Sequence, residues 1–279
     1  MRQGDSIRND PALVRRVRAG SLGLATAAAV ALASAAALSQ SPPIAPADKR
    51  PGSAFISQEL KAQQDDEGIN PGMLWVAEGE KLWTSPAGAA NKSCASCHGE
   101  ADTSMKGVAT RYPQVDQGTG RLLNLELRIN HCRTARQNAP ALAWESRALL
   151  GLTSYLAYQS RGLHIHVSID GPARPYFEAG QTLYTTRQGQ LNLACSQCHD
   201  ANWGRRLRGD TISQGHPTGF PIYRLEWQSA GSLQRRLRAC NFGVRAEMLD
   251  YGAADYLALE LYLAWRAGGL PIETPGVRR

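Results

Sequence analysis

Apolar residues recur every three or four positions in two segments of the 279-residue chain, around 146–159 and 253–267. That spacing places them on one face of an α-helix, so the pattern predicts a buried helix in each segment. Polar and apolar residues seldom alternate elsewhere, as they would in half-buried strands. The pattern therefore predicts an all-α fold. The apolar positions are Leu149, Leu152 and Leu156 in the first segment and Leu257, Leu261 and Ala264 in the second.

The N-terminal apolar pattern is continuous rather than periodic. Three arginines at positions 15, 16 and 18 precede an uncharged, alanine-rich run over 21–38. A basic segment followed by a weakly hydrophobic run predicts a signal peptide, 1–39, whose cleavage leaves the protein in the periplasm. A retained membrane anchor is the alternative, because the run is about long enough to span a bilayer. The alanine content and the following Pro42 and Pro43 favour cleavage, so no stable membrane insertion is expected.

The remaining sequence divides into an extension and two segments of similar length. Residues 40–72 are rich in Pro, Ala, Asp and Gln and predict a loosely ordered extension or a strap over the first domain. An Asp-Gly-Pro turn cluster marks the boundary between domains at 73–168 and 169–279. Each segment has the size of a single-core domain. In each we expect an N-terminal helix, near 71–83 and 174–184, ahead of the closing helix.

Two Cys-x-x-Cys-His pentads give the chain its candidate chemistry. This spacing is that of a c-type haem attachment site, in which two thiols bind the porphyrin covalently and the adjacent imidazole ligates the iron. A zinc site built from both pentads is the alternative, but a His directly after the second Cys in each favours haem. We therefore predict two covalently bound haem c groups. The pentads contain Cys94, Cys97 and His98, and Cys195, Cys198 and His199.

The two pentads lie in segments that repeat one another. Residues 79–98 align with 180–199 without a gap, including a Gly-x-x-Leu-aromatic-Thr stretch ahead of each pentad. Further along, Tyr-Leu-Ala-aromatic sequences at 155–158 and 262–265 also match. Such repetition indicates two copies of one structural unit. The sequence thus predicts two tandem class I cytochrome c-like domains related by internal duplication, each attached to one haem.

Two further cysteines, Cys132 and Cys240, lie downstream of the pentads at comparable distances. In an oxidising compartment, two spare cysteines can form a disulfide. Their equivalent positions in different repeats favour the alternative, in which each is the sixth ligand of its own haem iron. Neighbouring arginines fit this interpretation because cations stabilise a thiolate. His131 competes with Cys132 as the first distal ligand, and Met248 is an alternative for the second.

The charge distribution points to small anions rather than to nucleic acid. The formal net charge is +7, and every lysine lies at or before position 106. All fixed cations beyond that point are arginines, whose planar, permanently charged side chains suit oxyanions such as carboxylates or sulfur oxyacids. No nucleic acid partner is expected, because the chain has no recognisable nucleic-acid module and basic charge alone is weak support.

With these motifs the chain resembles the dihaem A subunits of the SoxAX cytochromes, the L-cysteine S-thiosulfotransferases of bacterial sulfur oxidation. The likeness runs from about residue 72 to the C-terminus and is most specific over 238–247 and 269–278. Some members of that family lack the first haem and carry a disulfide in its place. Here the first pentad is complete, so the chain is similar to the dihaem type.

The resemblance implies roles for individual residues. Cys240 would be the catalytic cysteine, an axial ligand that the family carries as a persulfide-type derivative, and Cys132 would ligate the first iron. Arg236, one helical turn before Cys240, and Arg266, in the C-terminal region, would hold the substrate anion. Arg245 is a further candidate for that role.

The resemblance also implies a reaction. Thiosulfate would be joined to a cysteine of a SoxYZ-like sulfur-carrier protein, and two electrons would pass to a monohaem SoxX-like cytochrome bound as a heterodimer partner. Two other functions are consistent with the repeats: a dihaem thiosulfate dehydrogenase that forms tetrathionate, and a purely electron-transferring dihaem cytochrome c. The residues around Cys240 favour the transferase.

Overall fold

Ten α-helices and seven short strands build the part of the chain that the computed structural model describes, residues 44–279. The predicted signal peptide, 1–39, lies outside the described residues, as do positions 40–43 of the predicted extension. The helices are α1 (Gln58–Asp65), α2 (Met73–Thr84), α3 (Ala95–His98), α4 (Ala101–Ser104), α5 (Leu125–Arg136), α6 (Arg147–Tyr158), α7 (Arg174–Thr185), α8 (Cys195–His199), α9 (Leu233–Gly243) and α10 (Ala254–Arg266). The strands are β1 (Gln114–Val115), β2 (Leu122–Leu123), β3 (Arg206–Leu207), β4 (Asp210–Thr211), β5 (Ile222–Arg224), β6 (Ser229–Gly231) and β7 (Gly276–Arg278).

Two crossed helix pairs, α2 with α6 and α7 with α10, form the framework of the two pentad-bearing halves. In each pair the backbones touch at a glycine. A Cβ atom on Gly79 would lie 2.1 Å from the carbonyl oxygen of Gly151, and one on Gly180 would lie 2.1 Å from that of Ala258. Glycine is required at both crossings because no side chain fits between backbones this close. The bounds of all four helices confirm the predicted ones to within two residues.

The paired helices are stabilised mainly by burial of their apolar faces. Helix α6 begins after Ser146, whose hydroxyl oxygen accepts a hydrogen bond from the Leu149 amide at 3.2 Å. Leu149, Leu152 and Leu156 are all buried, and Leu261 of α10 is fully enclosed. Burying each such side chain contributes roughly 2 kcal/mol. The periodic leucines of the sequence are therefore the contact surfaces of the two pairs.

The seven strands make the prediction of an all-α fold wrong in part. β5 pairs antiparallel with β6 and parallel with β7, so 222–224 and 276–278 lie side by side. Two further sheets within residues 44–279 have two strands each. A strand of two or three residues is too short to show a recognisable alternation, so the sequence pattern did not predict these strands.

The N-terminal extension is ordered and lies against the C-terminal strand. Gln64 of α1 is buried, and its Oε1 accepts hydrogen bonds from the Val277 amide at 3.2 Å and the Arg278 guanidinium at 2.5 Å. Asn70 donates to the Pro275 carbonyl at 2.9 Å. The sequence predicts a loose segment or a strap over the first domain. The extension is not loose, because its polar side chains satisfy backbone groups at the end of the chain. It also contacts the first half as a strap would, since Tyr158 donates to Glu67 at 2.6 Å and Arg161 to the Gln64 carbonyl at 3.2 Å.

The described residues all belong to one compact unit. The predicted boundary between 168 and 169 stays a prediction, since the two halves share this unit. No helix between residues 44 and 279 combines the length and the apolar character that crossing a bilayer requires.

Two buried carboxyl groups, Glu126 and Glu260, lie where the two halves meet. Glu260 accepts hydrogen bonds from the Asn124 amide, at 3.2 Å to each oxygen, and from Gln234 at 2.7 Å. Burial raises the pKa of both groups. The charge of Glu145 raises the pKa of Glu126 further, and the charge of Glu126 raises that of Glu260. Both groups border a cavity of about 100 Å³. The pair therefore tends to retain a proton under conditions in which exposed carboxyls are ionised.

Stability is expected to fall as the pH rises through neutrality, and Glu260→Gln is expected to flatten this dependence. A carboxyl whose folded pKa lies above its usual value of 4.5 binds a proton more tightly when folded. Its stabilising contribution is complete below the usual value and is lost as the pH rises through the folded pKa. The loss is about 1.4 kcal/mol per unit of difference. Thermal melts between about pH 4.5 and 8 measure it.

The exposed Glu80 provides the control for this prediction. Glu80→Gln should keep the pH dependence of the wild type. If Tm changes with pH equally in Glu260→Gln and in the wild type, the buried pair does not take up a proton on folding.

Candidate active site

Each pentad forms a one-turn helix, α3 or α8, that an aromatic residue of the preceding long helix fixes in place. Trp83 donates from its indole nitrogen to the Gly99 carbonyl at 3.0 Å, and Tyr184 donates to Asp200 Oδ1 at 2.9 Å. Gly99 and Asp200 directly follow the pentad histidines, so each bond holds the end of the attachment motif. Trp83 and Tyr184 occupy the same position in the aligned repeats.

His199 is oriented by the loop that follows its helix. Its Nδ1 lies 2.7 Å from the Ser213 carbonyl oxygen, which can only accept, so Nδ1 donates this hydrogen bond. Gly215, with a φ of +72°, approaches the ring so closely that an added Cβ would lie 3.1 Å from the imidazole Cγ. Histidines that ligate metals are commonly held in this way, with one nitrogen bonded to a carbonyl. His199 therefore fits the predicted role of iron ligand.

The helices that carry Cys132 and Cys240, α5 and α9, begin in the same way. The Asn124 side chain accepts a hydrogen bond from a backbone amide of the first turn at 3.0 Å, and the Ser232 hydroxyl does the same at 3.1 Å. Each cysteine lies about two turns beyond its capping residue. The apolar pattern predicted neither helix, although Asn and Ser are residue types that mark a helix start; the resemblance alone implied a helical turn before Cys240.

The Cys240 thiol lies beside the His199 ring and is partly exposed. Burial opposes ionisation of this thiol, but the charge of Arg236, a hydrogen bond with His199 and the charge of Arg224 outweigh it and lower the pKa to about 7. The lowered pKa favours the thiolate form of this sulfur more than in an ordinary cysteine. The competing ligand Met248 is 44% exposed beyond the end of α9, so Cys240 is the sulfur next to His199.

Cys132 lies beside the first pentad, near the thiols of Cys94 and Cys97. Burial raises its pKa, and nearby arginines oppose the rise without overcoming it. The first half thus holds a neutral thiol where the second holds a partly ionised sulfur. The competing ligand His131 is the adjacent residue, about 100° around the helix axis, and therefore lies on a different face from Cys132.

The cysteine geometry separates the alternatives left open by the sequence. All six cysteines are free, which contradicts a disulfide between Cys132 and Cys240. No three His, Cys, Asp or Glu side chains of the described chain converge on a metal-sized centre, so the pentads do not build a shared zinc site. Around the second pentad, two thiols, an imidazole held by its Nδ1 and a further sulfur beside that ring fit a covalently attached haem.

Two arginines supply the positive charge next to Cys240. Arg236 lies one helical turn before Cys240 and is partly exposed, at the place the resemblance implies. Arg224, on β5, was not among the predicted residues, yet its charge also lowers the pKa of Cys240. No sequence pattern marks it, because its position depends on the pairing of a strand only three residues long.

Arg266 contacts residues that flank the second pentad. Its guanidinium donates to Asp200 and, at 2.9 Å, to the Gln214 carbonyl, and it lies 4.4 Å from the centre of the Tyr184 ring. These partners hold the pentad helix and the loop after it, so the geometry favours a positioning role. Its implied binding of the substrate anion stays a prediction. Arg245, the further candidate, is exposed.

The chain is similar in sequence and in structure to known cytochrome subunits. The family model described as SoxA/TsdA, cytochrome c domain, matches residues 78–165. The L-cysteine S-thiosulfotransferase subunit SoxA of Pseudaminobacter salicylatoxidans is 41% identical over 229 residues, which cover 82% of this chain and 80% of the relative. The corresponding subunit of Rhodovulum sulfidophilum is 37% identical, and the match again covers 82% of this chain and 80% of the relative. The crystal structure of SoxXA from P. pantotrophus matches with a TM-score of 0.79 and 38% identity, over 82% of this chain and 86% of that chain.

Proposed function

Because the chain belongs to the SoxA family of L-cysteine S-thiosulfotransferase subunits, we propose that it joins thiosulfate oxidatively to a cysteine of a sulfur-carrier protein. The observation that carries the proposal is the Cys240 sulfur, which lies beside His199 with a pKa lowered to about 7. A partly exposed and partly ionised sulfur can form and break bonds to other sulfur atoms at neutral pH.

The proposed reaction balances atoms and electrons in two stages. First, the Cys240 thiolate bonds to the sulfane sulfur of thiosulfate as two electrons leave, which places a thiosulfonate on Cys240. Second, the carrier cysteine, as a thiolate, attacks that sulfane sulfur, and Cys240 departs as a thiolate. Overall, a carrier thiol and thiosulfate give a carrier-bound thiosulfonate, a proton and two electrons. The two electrons would leave one at a time through a haem bound at the second pentad to a partner cytochrome.

Arg236 is proposed to bind the sulfonate end of thiosulfate. Its guanidinium lies one turn from Cys240 and can make charge-assisted hydrogen bonds to sulfonate oxygens. This charge also reduces the repulsion between two approaching anions, the thiolate and thiosulfate. Arg266 would act at a distance, by holding the pentad helix against the following loop.

We further propose that the protein carries two haem c groups and that its halves derive from one duplicated unit. The matching anchors Trp83 and Tyr184 support this, as do the matching helix crossings at Gly79 and Gly180. The proposed iron ligands are His98 and Cys132 in the first half and His199 and Cys240 in the second.

The proposed assembly is a heterodimer with a monohaem SoxX-like cytochrome, which would receive the two electrons. The structural likeness to SoxXA of P. pantotrophus supports it. The sulfur carrier would be a SoxYZ-like protein with a reactive cysteine. We place the reaction in the periplasm, which the protein would reach through the signal peptide predicted at 1–39.

Turnover of the purified holoprotein with its monohaem partner and a carrier protein tests the proposal. We expect a thiosulfate-dependent mass increase on the carrier cysteine together with reduction of the partner cytochrome. A carrier with that cysteine changed to serine should stay unmodified. Tetrathionate formation without carrier would identify a thiosulfate dehydrogenase, and electron exchange that ignores thiosulfate would identify a simple electron carrier. Either result contradicts the proposal.

A further inference from the structure

Arg224 carries a buried hydrogen-bond donor that no group in residues 44–279 accepts. Its side chain is 6% exposed, and its Nε is enclosed without a hydrogen-bond partner. A buried donor without an acceptor is rare in proteins and calls for a specific explanation such as strain, function or a missing ligand. Here the donor belongs to a charged group whose field reaches Cys240.

The remainder of the Arg224 guanidinium is held in place. Its Nη2 lies 2.6 Å from Glu226 and 3.9 Å from Asp210, two carboxylates that are about half exposed. Its Cζ lies 5.2 Å from the centre of the Trp227 ring. These contacts fix the plane of the group while Nε keeps its free hydrogen. The donor is therefore oriented before any ligand arrives.

Arg236 is a second arginine whose charge acts on Arg224, and it lacks an ion-pair partner within the described residues. Arg278, the strand neighbour of Arg224, is paired with Glu273 at 3.6 Å. Burial lowers the pKa of Arg224, and the charge of Arg236 lowers it further. Glu226 and Asp210 offset part of this repulsion at Arg224, whereas no carboxylate within the described residues neutralises Arg236. An anion is thus the ligand that this pair of residues favours.

We propose that Arg224 and Arg236 together bind the sulfonate of thiosulfate and so place its sulfane sulfur next to Cys240. The inference rests on the proposed function and adds to it a second anion-binding residue. The Arg224 Nε would donate to one sulfonate oxygen while Arg236 donates to another, in charge-assisted hydrogen bonds. A carboxylate of a bound haem has similar oxyanion chemistry and is the competing source of the anion.

Equilibrium binding of thiosulfate to the purified holoprotein, without carrier protein, tests the assignment. Arg224→Gln is expected to weaken binding about 10- to 100-fold, as the loss of a hydrogen bond to a charged group implies. Arg224→Lys keeps the charge but lacks a donor at the Nε position, so it should also bind more weakly. Arg235→Gln is the matched control. Arg235 lies 4.2 Å from the same Trp227 ring, and the main charges acting on Cys240 do not include it.

The outcomes distinguish this inference from the function on which it rests. Wild-type affinity in both Arg224 variants would overturn the assignment. Wild-type affinity together with a shifted haem reduction potential would assign Arg224 to a haem carboxylate, and this also overturns it. If the wild-type holoprotein neither binds nor converts thiosulfate, the proposed function fails and the inference falls with it.

Discussion

Cys240→Ala is expected to lower carrier conjugation by a factor on the order of 10³ or more, because the variant has no sulfur with which to hold thiosulfate. Haem attachment should continue, since the thioether bonds depend on Cys195 and Cys198. The measurement is the rate of carrier modification by mass spectrometry, with the haem content of each preparation determined by absorbance. A holoprotein that lacks this sulfur and still turns over at the wild-type rate would remove Cys240 from the mechanism.

Met248→Leu provides the control for the cysteine variant. Met248 is 44% exposed and is the competing sulfur ligand near the second pentad. The substitution should leave both the conjugation rate and the visible spectrum unchanged. A changed spectrum in Met248→Leu, with an unchanged one in Cys240→Ala, would reverse the assignment of the distal ligand.

Gly180→Val is expected to cause a large loss of stability. Even a Cβ at this position would lie 2.1 Å from the Ala258 carbonyl oxygen, and valine adds two methyl groups beyond it. The helices α7 and α10 would have to separate, which exposes the core between them. Overpacking of a close interior contact costs about 3 kcal/mol or more. Thermal unfolding followed by circular dichroism measures the effect, and we expect a strongly lowered Tm or loss of soluble holoprotein.

Gly243→Ala is the matched exchange in a helix without a crossing. A Cβ at Gly243 of α9 meets no atom within 4 Å. Alanine also favours helix more than glycine does, by up to about 1 kcal/mol, so this variant should be as stable as the wild type or more so. Equal Tm values for Gly180→Val and the wild type would show that the crossing tolerates separation.

The sequence was enough to predict features that repeat or that have a fixed residue spacing. The closing helices were predictable because their leucines recur over several turns. The pentads were predictable because their spacing is tied to one chemistry. The family resemblance carried by the residues around Cys240 is confirmed by the relatives at up to 41% identity. In each case the decisive information lies within a short stretch of chain.

The features that the sequence did not predict depend on residues that come into contact only after folding. Arg224 lies 16 positions before Cys240, and no periodicity links the two; the pairing of β5 brings its charge to the thiol. The prediction of a loosely ordered N-terminal extension was wrong for a related reason. Its polar residues suggested a loose segment, but Gln64 and Asn70 find their partners at the opposite end of the chain. Contacts of this kind leave no local signal.

The contact between α1 and β7 also sets an order of events for the newly made chain. Gln64 and Arg278 are separated by 214 positions, and both pentads lie between them. During synthesis the N-terminal segment emerges before its partner strand exists, so this contact can form only once the whole chain has been made. Both pentads therefore lie within a loop that this contact closes only after the last strand has been made.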